Sequence, residues 1–254
     1  MQHRIIVLGA GYAGTYAAGY LARRLHHDDV EVTVVNAEPD FVERLRLHQL
    51  AAGADLRRHD LASIFEGTGI RLRLARVTAV DAERRTVTVQ DDEGDDRLEY
   101  DTLVYALGST VADHGVPGVA EHAFHIAGRA SALRLRQRLD ELGGQGSVLV
   151  VGGNLTAIEG ATEIADRRPG LRVTLATEGE LGGWLGSRAR PHLLRAFDRL
   201  GIDVHERTPI ERVTATGAVA ADGAVFDADA TVWAAGFAVH PIAAASGLAV
   251  EEDG

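Results

Sequence analysis

A chain of 254 residues with a net charge of −11, 46% hydrophobic residues and no cysteine has room for one large or two modest soluble domains. The acidic balance argues against a nucleic-acid partner, and the missing cysteines exclude disulfides, thiolate metal sites and a redox-active dithiol. No apolar run reaches the roughly 18 residues of a membrane span, and glycines interrupt the apolar N-terminus where a signal peptide would continue, so a cytoplasmic protein is expected.

The first predicted strand, Ile5–Leu8, runs into Gly9-x-Gly11-x-x-Gly14, and Tyr12–Leu25 follows with helical spacing. Strand, glycine turn and helix in that order suit a diphosphate. Gly9 permits the tight turn, Gly11 lets a phosphate approach the backbone, and Gly14 lets helix and strand pack closely. The helix end then offers N–H groups and a positive dipole terminus. Val30–Val35 alternates and is β-branched, which predicts a strand ending at Asn36, where an acidic residue usually holds a ribose. Asn36 can donate and accept, so it is a ribose candidate or a turn former, with Glu38 close by.

Phe41–Ala52 reads as a helix carrying Arg44, Arg46 and His48, while Arg57, Arg58 and His59 read as an exposed run without a role. Ile70–Val80, Arg85–Gln90 and Arg97–Tyr100 predict a meander, with an acidic turn over Asp91–Asp96. Thr102–Leu107 is a further strand, closing at Gly108, and a linker containing Gly115, Pro117 and Gly118 follows.

The plan then repeats. Gly128–Leu142 is an amphipathic helix, Ser147–Val151 a strand, and Gly152-Gly153-Asn154-Leu155-Thr156-Ala157 a second turn opening the helix Ile158–Arg168. Leu171–Ala176 is a strand with Thr177 and Glu178 at its end, and Ser187–Leu200 is helical. Strands are expected at Ile202–Glu206, Glu211–Thr214, Ala218–Val225 and Thr231–Ala235, the last closing on Gly236 and Phe237. Two modules of parallel plan, each with a glycine turn, suggest two nucleotide sites. His122-x-x-His125 has helical ligand spacing but no third ligand nearby, so no metal site is expected, and no hydrolase motif occurs.

Four segments, GAGYAG at Gly9–Gly14, YALGS at Tyr105–Ser109, VVGGNLTAIE at Val150–Glu159 and VWAAGF at Val232–Phe237, carry a resemblance. In this order they resemble the two-dinucleotide-binding-domain flavoproteins of the pyridine nucleotide-disulfide oxidoreductase superfamily, most of all type II NADH dehydrogenases and apoptosis-inducing-factor-like NAD(P)H oxidoreductases. The resemblance implies an α/β fold of two Rossmann-like, three-layer ββα dinucleotide-binding domains. It implies an FAD domain over residues 1–114, an NAD(P) domain over 115–240, and a return to the FAD domain over 241–254. The family's FAD domain continues past that point, so the FAD domain is expected to be incomplete at its C-terminal part and to hold FAD weakly.

By the same resemblance, Gly9, Ala10, Gly11, Tyr12, Ala13 and Gly14 would meet the FAD diphosphate and Asn36 its adenosine ribose, with Ala37 and Arg44 also among the cofactor-binding residues. The Val77 backbone would meet adenine, and Ala106, Leu107 and Gly108 would pass the flavin nucleotide. Gly152, Gly153, Asn154, Thr156 and Ala157 would cradle NAD(H), with Glu159 nearby and Glu178 at its ribose. Ala235, Gly236 and Phe237 would line the channel between the cofactors. Arg46 or His48 would stabilise the reduced flavin.

The chain departs from the family at several points. The family's dithiol would fall near Phe41–Leu50, where this chain has none, leaving direct hydride transfer to flavin and then to a small or quinone-like acceptor. Asn154 and Ala157 replace the middle and last glycines of the second turn, and Asn tolerates a left-handed backbone. Ala at the last position accompanies NADP(H) in this family, whereas Glu178 repels a 2′-phosphate, with Arg188 and Arg190 close in sequence. NADH is therefore the expected donor and NADP(H) stays open. The rival expectation is a non-catalytic dinucleotide-binding module, poor in flavin. Oligomeric state is not legible.

Overall fold

The computed structural model describes residues 2–250 and divides the chain into two compact units. The first contains the residues up to Glu43, Arg57–Thr110 and the residues from Ala238 on; the second contains Arg44–Leu56 and Val111–Phe237.

In the first unit, a parallel sheet runs in the order Arg71–Leu74, Val30–Asn36, His3–Leu8, Thr102–Tyr105. His3 pairs with Val30 and Ile5 with Thr102, so the strand that feeds the first glycine turn is flanked on both sides. Its last four residues are buried, as a central parallel strand covered on both faces requires. The helix Tyr12–Arg24 packs on one face through Gly14 and Ala18, over a core that includes Val7, Val34, Leu61 and Phe65. On the other side, an antiparallel meander of Arg76–Asp81, Thr86–Asp91 and Gly94–Glu99 contributes Val77, Val80, Val87 and Val89 to a second core with Ile6 and Leu8. Ile242, from the short helix Ile242–Ala245, is buried in that same core. Ser246 Oγ also accepts the Val80 N–H at 3.2 Å.

The second unit repeats the scheme. Its parallel sheet runs Ala123–Phe124, Ala230–Trp233, Gly146–Val151, Leu171–Ala176, Asp203–His205. An antiparallel meander of Ile210–Thr214, Gly217–Ala220 and Val225–Asp227 forms the second layer. The helices are Arg129–Glu141, Leu155–Arg167 and Ala189–Arg199. Each unit is thus α/β, with a parallel sheet, an antiparallel meander and helices.

Several expected elements take a different form. Phe41–Ala52 is not one helix: Asp40–Phe41 is a short strand, Arg44–Arg46 a 3₁₀ turn, and only Leu47–Ala52 is α-helical. The reason lies in what is buried, since Leu47, Leu50, Ala51 and Ala52 are covered while Val42 to Arg46 offer no continuous apolar face. This helix packs on Arg129–Glu141 and Leu155–Arg167, which is why residues 44–56 join the second unit rather than the first. Arg57 and Arg58 are exposed, and the segment that holds them is tied down at Arg58 and His59. His59–Asp60 pairs with Asp40–Phe41, and Arg58 forms an ion pair with buried Asp40. Ile70–Val80 breaks at Ala75 into two strands belonging to different sheets, the acidic turn over Asp91–Asp96 narrows to Asp92 and Glu93 between two hairpin strands, and Ala218–Val225 breaks at a turn.

One device missed in the sequence appears in both units. Asp101 and Arg4 exchange main-chain bonds, the Asp101 N–H reaching Arg4 O at 2.9 Å while the Asp101 carboxylate accepts the Arg4 N–H at 2.8 Å. Asp229 and Ser147 do the same at 2.9 and 2.8 Å. Each aspartate stands just before the strand that flanks the glycine-turn strand. These bonds hold both carboxyls below their ordinary value of 3.8, led in each case by the donated backbone N–H. A depressed carboxyl contributes stability above its unfolded pKa and loses it as pH falls through its folded pKa. Stability should therefore decline below about pH 4. The Asp101→Asn, Asp229→Asn double variant should show a shallower acid limb in urea titrations at pH 7 and pH 3.

Candidate functional site

Each glycine turn is built against the strand beside it. Gly9 has φ +91°, and a Cβ there would overlap the carbonyl oxygen of Ala106. Gly152 has φ +137°, and a Cβ there would overlap the carbonyl oxygen of Ala234. The two turns thus share one constraint, a main chain passing too close to its neighbour for any side chain. Gly14 is closed in the same way, its Cβ position falling on Gly9 O. Gly11 differs, because nothing lies within 4 Å of the Cβ it lacks. That space borders the first turn of Tyr12–Arg24, which has no side-chain cap, so the N–H groups of Tyr12, Ala13 and Gly14 are left for an anion.

Ala10 is buried, and its N–H is taken by Asn36 Oδ1 at 2.9 Å. Asn36 Nδ2 donates to Glu38 O at 2.7 Å. The amide therefore braces the glycine turn and its own loop, keeping one N–H and one lone pair for other partners. Beyond it, exposed Ala37 borders a cleft of about 440 Å³ with Leu74, Ala75, Arg76, Gln90, Asp91 and Asp92. Val77 is not in this lining: its side chain is buried and it stands opposite Val89 in the meander. Ala106 and Leu107 are half-buried and Gly108 exposed at the end of Thr102–Tyr105, with the Ala106 N–H bonded to Leu8 O at 2.9 Å. The ring of Tyr12 meets Phe41 edge-on at 5.0 Å.

In the second turn, Asn154 does not need a left-handed backbone. Its φ is −84°, and it is the N-cap of Leu155–Arg167, with Oδ1 accepting the Ala157 N–H at 3.1 Å. The side chain that stands in the place of Gly11 thus occupies one of the helix-end donors and leaves those of Leu155 and half-buried Thr156. Ala157 is buried, and its methyl is accommodated where Gly14 has no room. Gly153 owes its identity to Thr177, whose side chain fills the position of the missing Cβ.

This turn opens on a cleft of about 480 Å³ lined by Gly152, Gly153, Thr177, Glu178, Ala235 and Trp233, among others. The sequence reading names Gly152, Gly153, Glu178 and Ala235, and all four line this cleft. It missed His114, Thr208, Pro209 and Ile210 in the same lining, because loop residues carry no periodic signal. Two nearby arginines are held by protein groups. Arg190 bonds Leu181 O at 3.0 Å and Glu206 at 2.6 Å, and Arg207 bonds Glu180.

The remaining candidates all belong to the second unit. His48 is largely buried, with Nδ1 3.6 Å from the carboxylate of exposed Glu159. Arg46 Nε donates to Gln49 at 3.0 Å. The Arg44 guanidinium lies 5.3 Å from the centre of the Phe237 ring, and burial lowers its pKa. Gly236 N-terminal to that ring accepts the Ala112 N–H at 3.1 Å. His125 does not pair with His122; its ring nitrogens meet Ser131 Oγ at 3.1 Å and the Ala127 N–H at 3.4 Å, and burial lowers its pKa. His26, His27 and Asp28 form the single group of three metal-type ligands among the described residues, all exposed.

A sequence profile described as pyridine nucleotide-disulphide oxidoreductase matches residues 3–254. An NADH dehydrogenase-like protein of Mycobacterium tuberculosis is 33% identical over 256 residues, covering 92% of this chain and 62% of its own length. A type II NADH:quinone oxidoreductase of Staphylococcus epidermidis is 31% identical over 185 residues, covering 67% of this chain and 45% of its own. The chain thus spans less than two thirds of the length of these curated relatives. Among solved structures, NDH2 of Plasmodium falciparum in complex with NADH superposes with a TM-score of 0.83 at 20% identity, covering 95% of this chain and 56% of that one. At that identity the likeness is one of fold.

Gly11→Ala and Gly14→Ala should behave differently. Gly14→Ala drives a methyl into Gly9 O and should destabilise the first unit by roughly 3 kcal/mol in denaturant titrations. Gly11→Ala meets open space, so it should leave stability within about 1 kcal/mol.

Proposed function

The chain belongs to the pyridine nucleotide-disulphide oxidoreductase family, and from that premise we propose that it is the two-nucleotide part of an NADH:acceptor oxidoreductase. The first unit would hold FAD and the second NAD(H). The observation that carries this reading is the duplicated turn. Two parallel strands each end in a main-chain bend closed against the next strand, and the second bend opens on the cleft of about 480 Å³.

The residues of the first unit suit FAD at the diphosphate: Gly11 leaves space where a side chain would stand, and Tyr12 to Gly14 present uncapped N–H groups. Asn36 would reach the adenosine ribose with its remaining N–H, beside Ala37, and Ala106 to Gly108 would border the flavin nucleotide. FAD, when bound, supplies the ring that takes a hydride from dihydronicotinamide and passes electrons to the acceptor. Gly152, Gly153, Thr156 and Ala157 would orient the NADH diphosphate, with Glu178 at the adenosine ribose. Arg46, His48, Glu159 and the Ala235–Phe237 segment would serve the reacting end, a role supported by the proximity of His48 to Glu159.

NADH is favoured over NADPH. Arg190 and Arg207 are engaged by Glu206 and Glu180, so neither stands ready for a 2′-phosphate, and the exposed Glu178 carboxylate repels one. The acceptor we propose is a quinone, on the strength of the Staphylococcus epidermidis relative, which would bring the protein to a membrane surface as a peripheral partner. Among the described residues, no helix is long and apolar enough to cross a membrane.

A second reading, a binding module without turnover, is favoured by one observation: Asn154 occupies a helix-end donor that a phosphate would use. Anaerobic addition of NADH to FAD-loaded protein separates the two. Loss of the flavin's visible absorbance is expected; FAD that stays bound and oxidised, with NADH binding seen by calorimetry, leaves only the binding module. Glu178→Gln should lower the preference for NADH over NADPH by roughly five- to tenfold, as read from the two dissociation constants.

A further inference from the structure

His114 is one of three non-glycine residues with a left-handed backbone among those described, at φ +52°. Gly115 follows at φ +69°, and Asp113 ties the bend, its Oδ1 accepting the Gly115 N–H at 3.0 Å and its carbonyl the Val116 N–H at 3.0 Å. Strain of this kind persists where the surroundings enforce it, and it gathers at ligand sites. Here the surroundings are firm. Trp233 Nε1 donates to Ala112 O at 2.7 Å, and the Ala112 N–H donates to Gly236 O, so the segment leading into the bend is pinned to the end of Ala230–Trp233.

The bend carries the His114 imidazole to the wall of the cleft that Gly152, Gly153 and Glu178 also line. A Cβ on Gly236 would stand 3.4 Å from His114 Nε2, so the ring lies over the glycine that follows this strand. The ring has no hydrogen bond or ion pair among the described residues. A strained, anchored bend therefore holds an uncommitted donor and acceptor at the edge of a nucleotide-sized space.

Topology fixes which edge. The strand of the glycine turn, Gly146–Val151, has Ala230–Trp233 on one side and Leu171–Ala176 on the other. Glu178 follows the latter, whereas Gly236 and His114 lie beyond the former. A dinucleotide laid across the strand ends, its diphosphate at the turn, has its two nucleotides on opposite sides. We propose that His114 is a binding residue of this cleft, hydrogen-bonding the nicotinamide-nucleotide half of NAD(H) through its ring nitrogen. The proposal rests on the reading of the second unit as the NAD(H) site. A ribose hydroxyl or the carboxamide oxygen suits an imidazole N–H as hydrogen-bond partner.

Calorimetric titration of the full chain with NADH and with ADP tests this, using His114→Gly and His114→Asn. Glycine adopts φ +52° freely, so His114→Gly should melt at the wild-type temperature or above it. It should nevertheless bind NADH roughly three- to tenfold more weakly, the loss of one hydrogen bond, while its affinity for ADP stays at the wild-type value. His114→Asn keeps a donor and tolerates the left-handed backbone, and should recover part of the loss. Unchanged NADH affinity in His114→Gly overturns the proposal, and so does an equal loss for ADP, which would move the contact to the adenosine half. Wild-type protein that binds neither nucleotide sinks the assignment of the cleft itself, a result distinct from either of these.

Discussion

The structure depends on how closely a bending main chain can pass the end of the strand beside it. At Gly9 the chain runs against the Ala106 carbonyl, and at Gly152 against that of Ala234, in each case with no room for a methyl group. Everything near the two turns follows from that closeness. It directs the helix that starts after the bend back across its own sheet, and it points the helix's first N–H groups at the strand ends. The same closeness makes the glycines structural before they are functional, since they would be needed even if no phosphate were ever bound.

Duplication extends further than the turns. Asp101-x-x-Val104-Tyr105-Ala106-x-Gly108 and Asp229-x-x-Val232-Trp233-Ala234-x-Gly236 are the same pattern at the same spacing. In both, the aspartate ties itself to the start of the glycine-turn strand, the valine extends the sheet, and the alanine carbonyl is the wall that excludes a side chain. The aromatic ring works outward. Tyr105 makes a long 3.4 Å hydrogen bond to His240 O, and Trp233 a short one of 2.7 Å to Ala112 O. Each ring thereby fastens a connecting segment to its own unit. Where the copies diverge, they do so at the helix end: Gly11 leaves the donors open, and Asn154 takes one for itself.

Much of this was legible from the residues. Buried parallel strands read as continuous apolar runs, and Ile5–Leu8 and Ser147–Val151 announced both turns. What was not legible depended on partners distant in sequence. Nothing local says that Ala75 should end one sheet and begin another, or that Asn36 should brace Ala10 across 26 positions rather than face a ribose with its whole amide. Of the cleft lining, Gly152 and Glu178 stand at strand ends, where a sequence pattern reaches them, while His114 and Thr208–Ile210 arrive from loops. His114 carried no signal beyond preceding a glycine, and its backbone angle emerges only with the bend around it.

The stretch from Arg44 to Leu56 leaves the first unit to pack Leu47, Leu50, Ala51 and Ala52 in the second, where Arg168 Nε bonds Ala52 O and Arg136 pairs with Asp55. The boundary between the units is therefore crossed four times along the chain, not twice. A chimaera that grafted residues 111–237 onto a homologous scaffold would import a module stripped of one of its own helices and leave the host's version facing foreign side chains. A functional exchange has to carry the thirteen-residue excursion with it, so the second unit is transferable only as two separate stretches of chain.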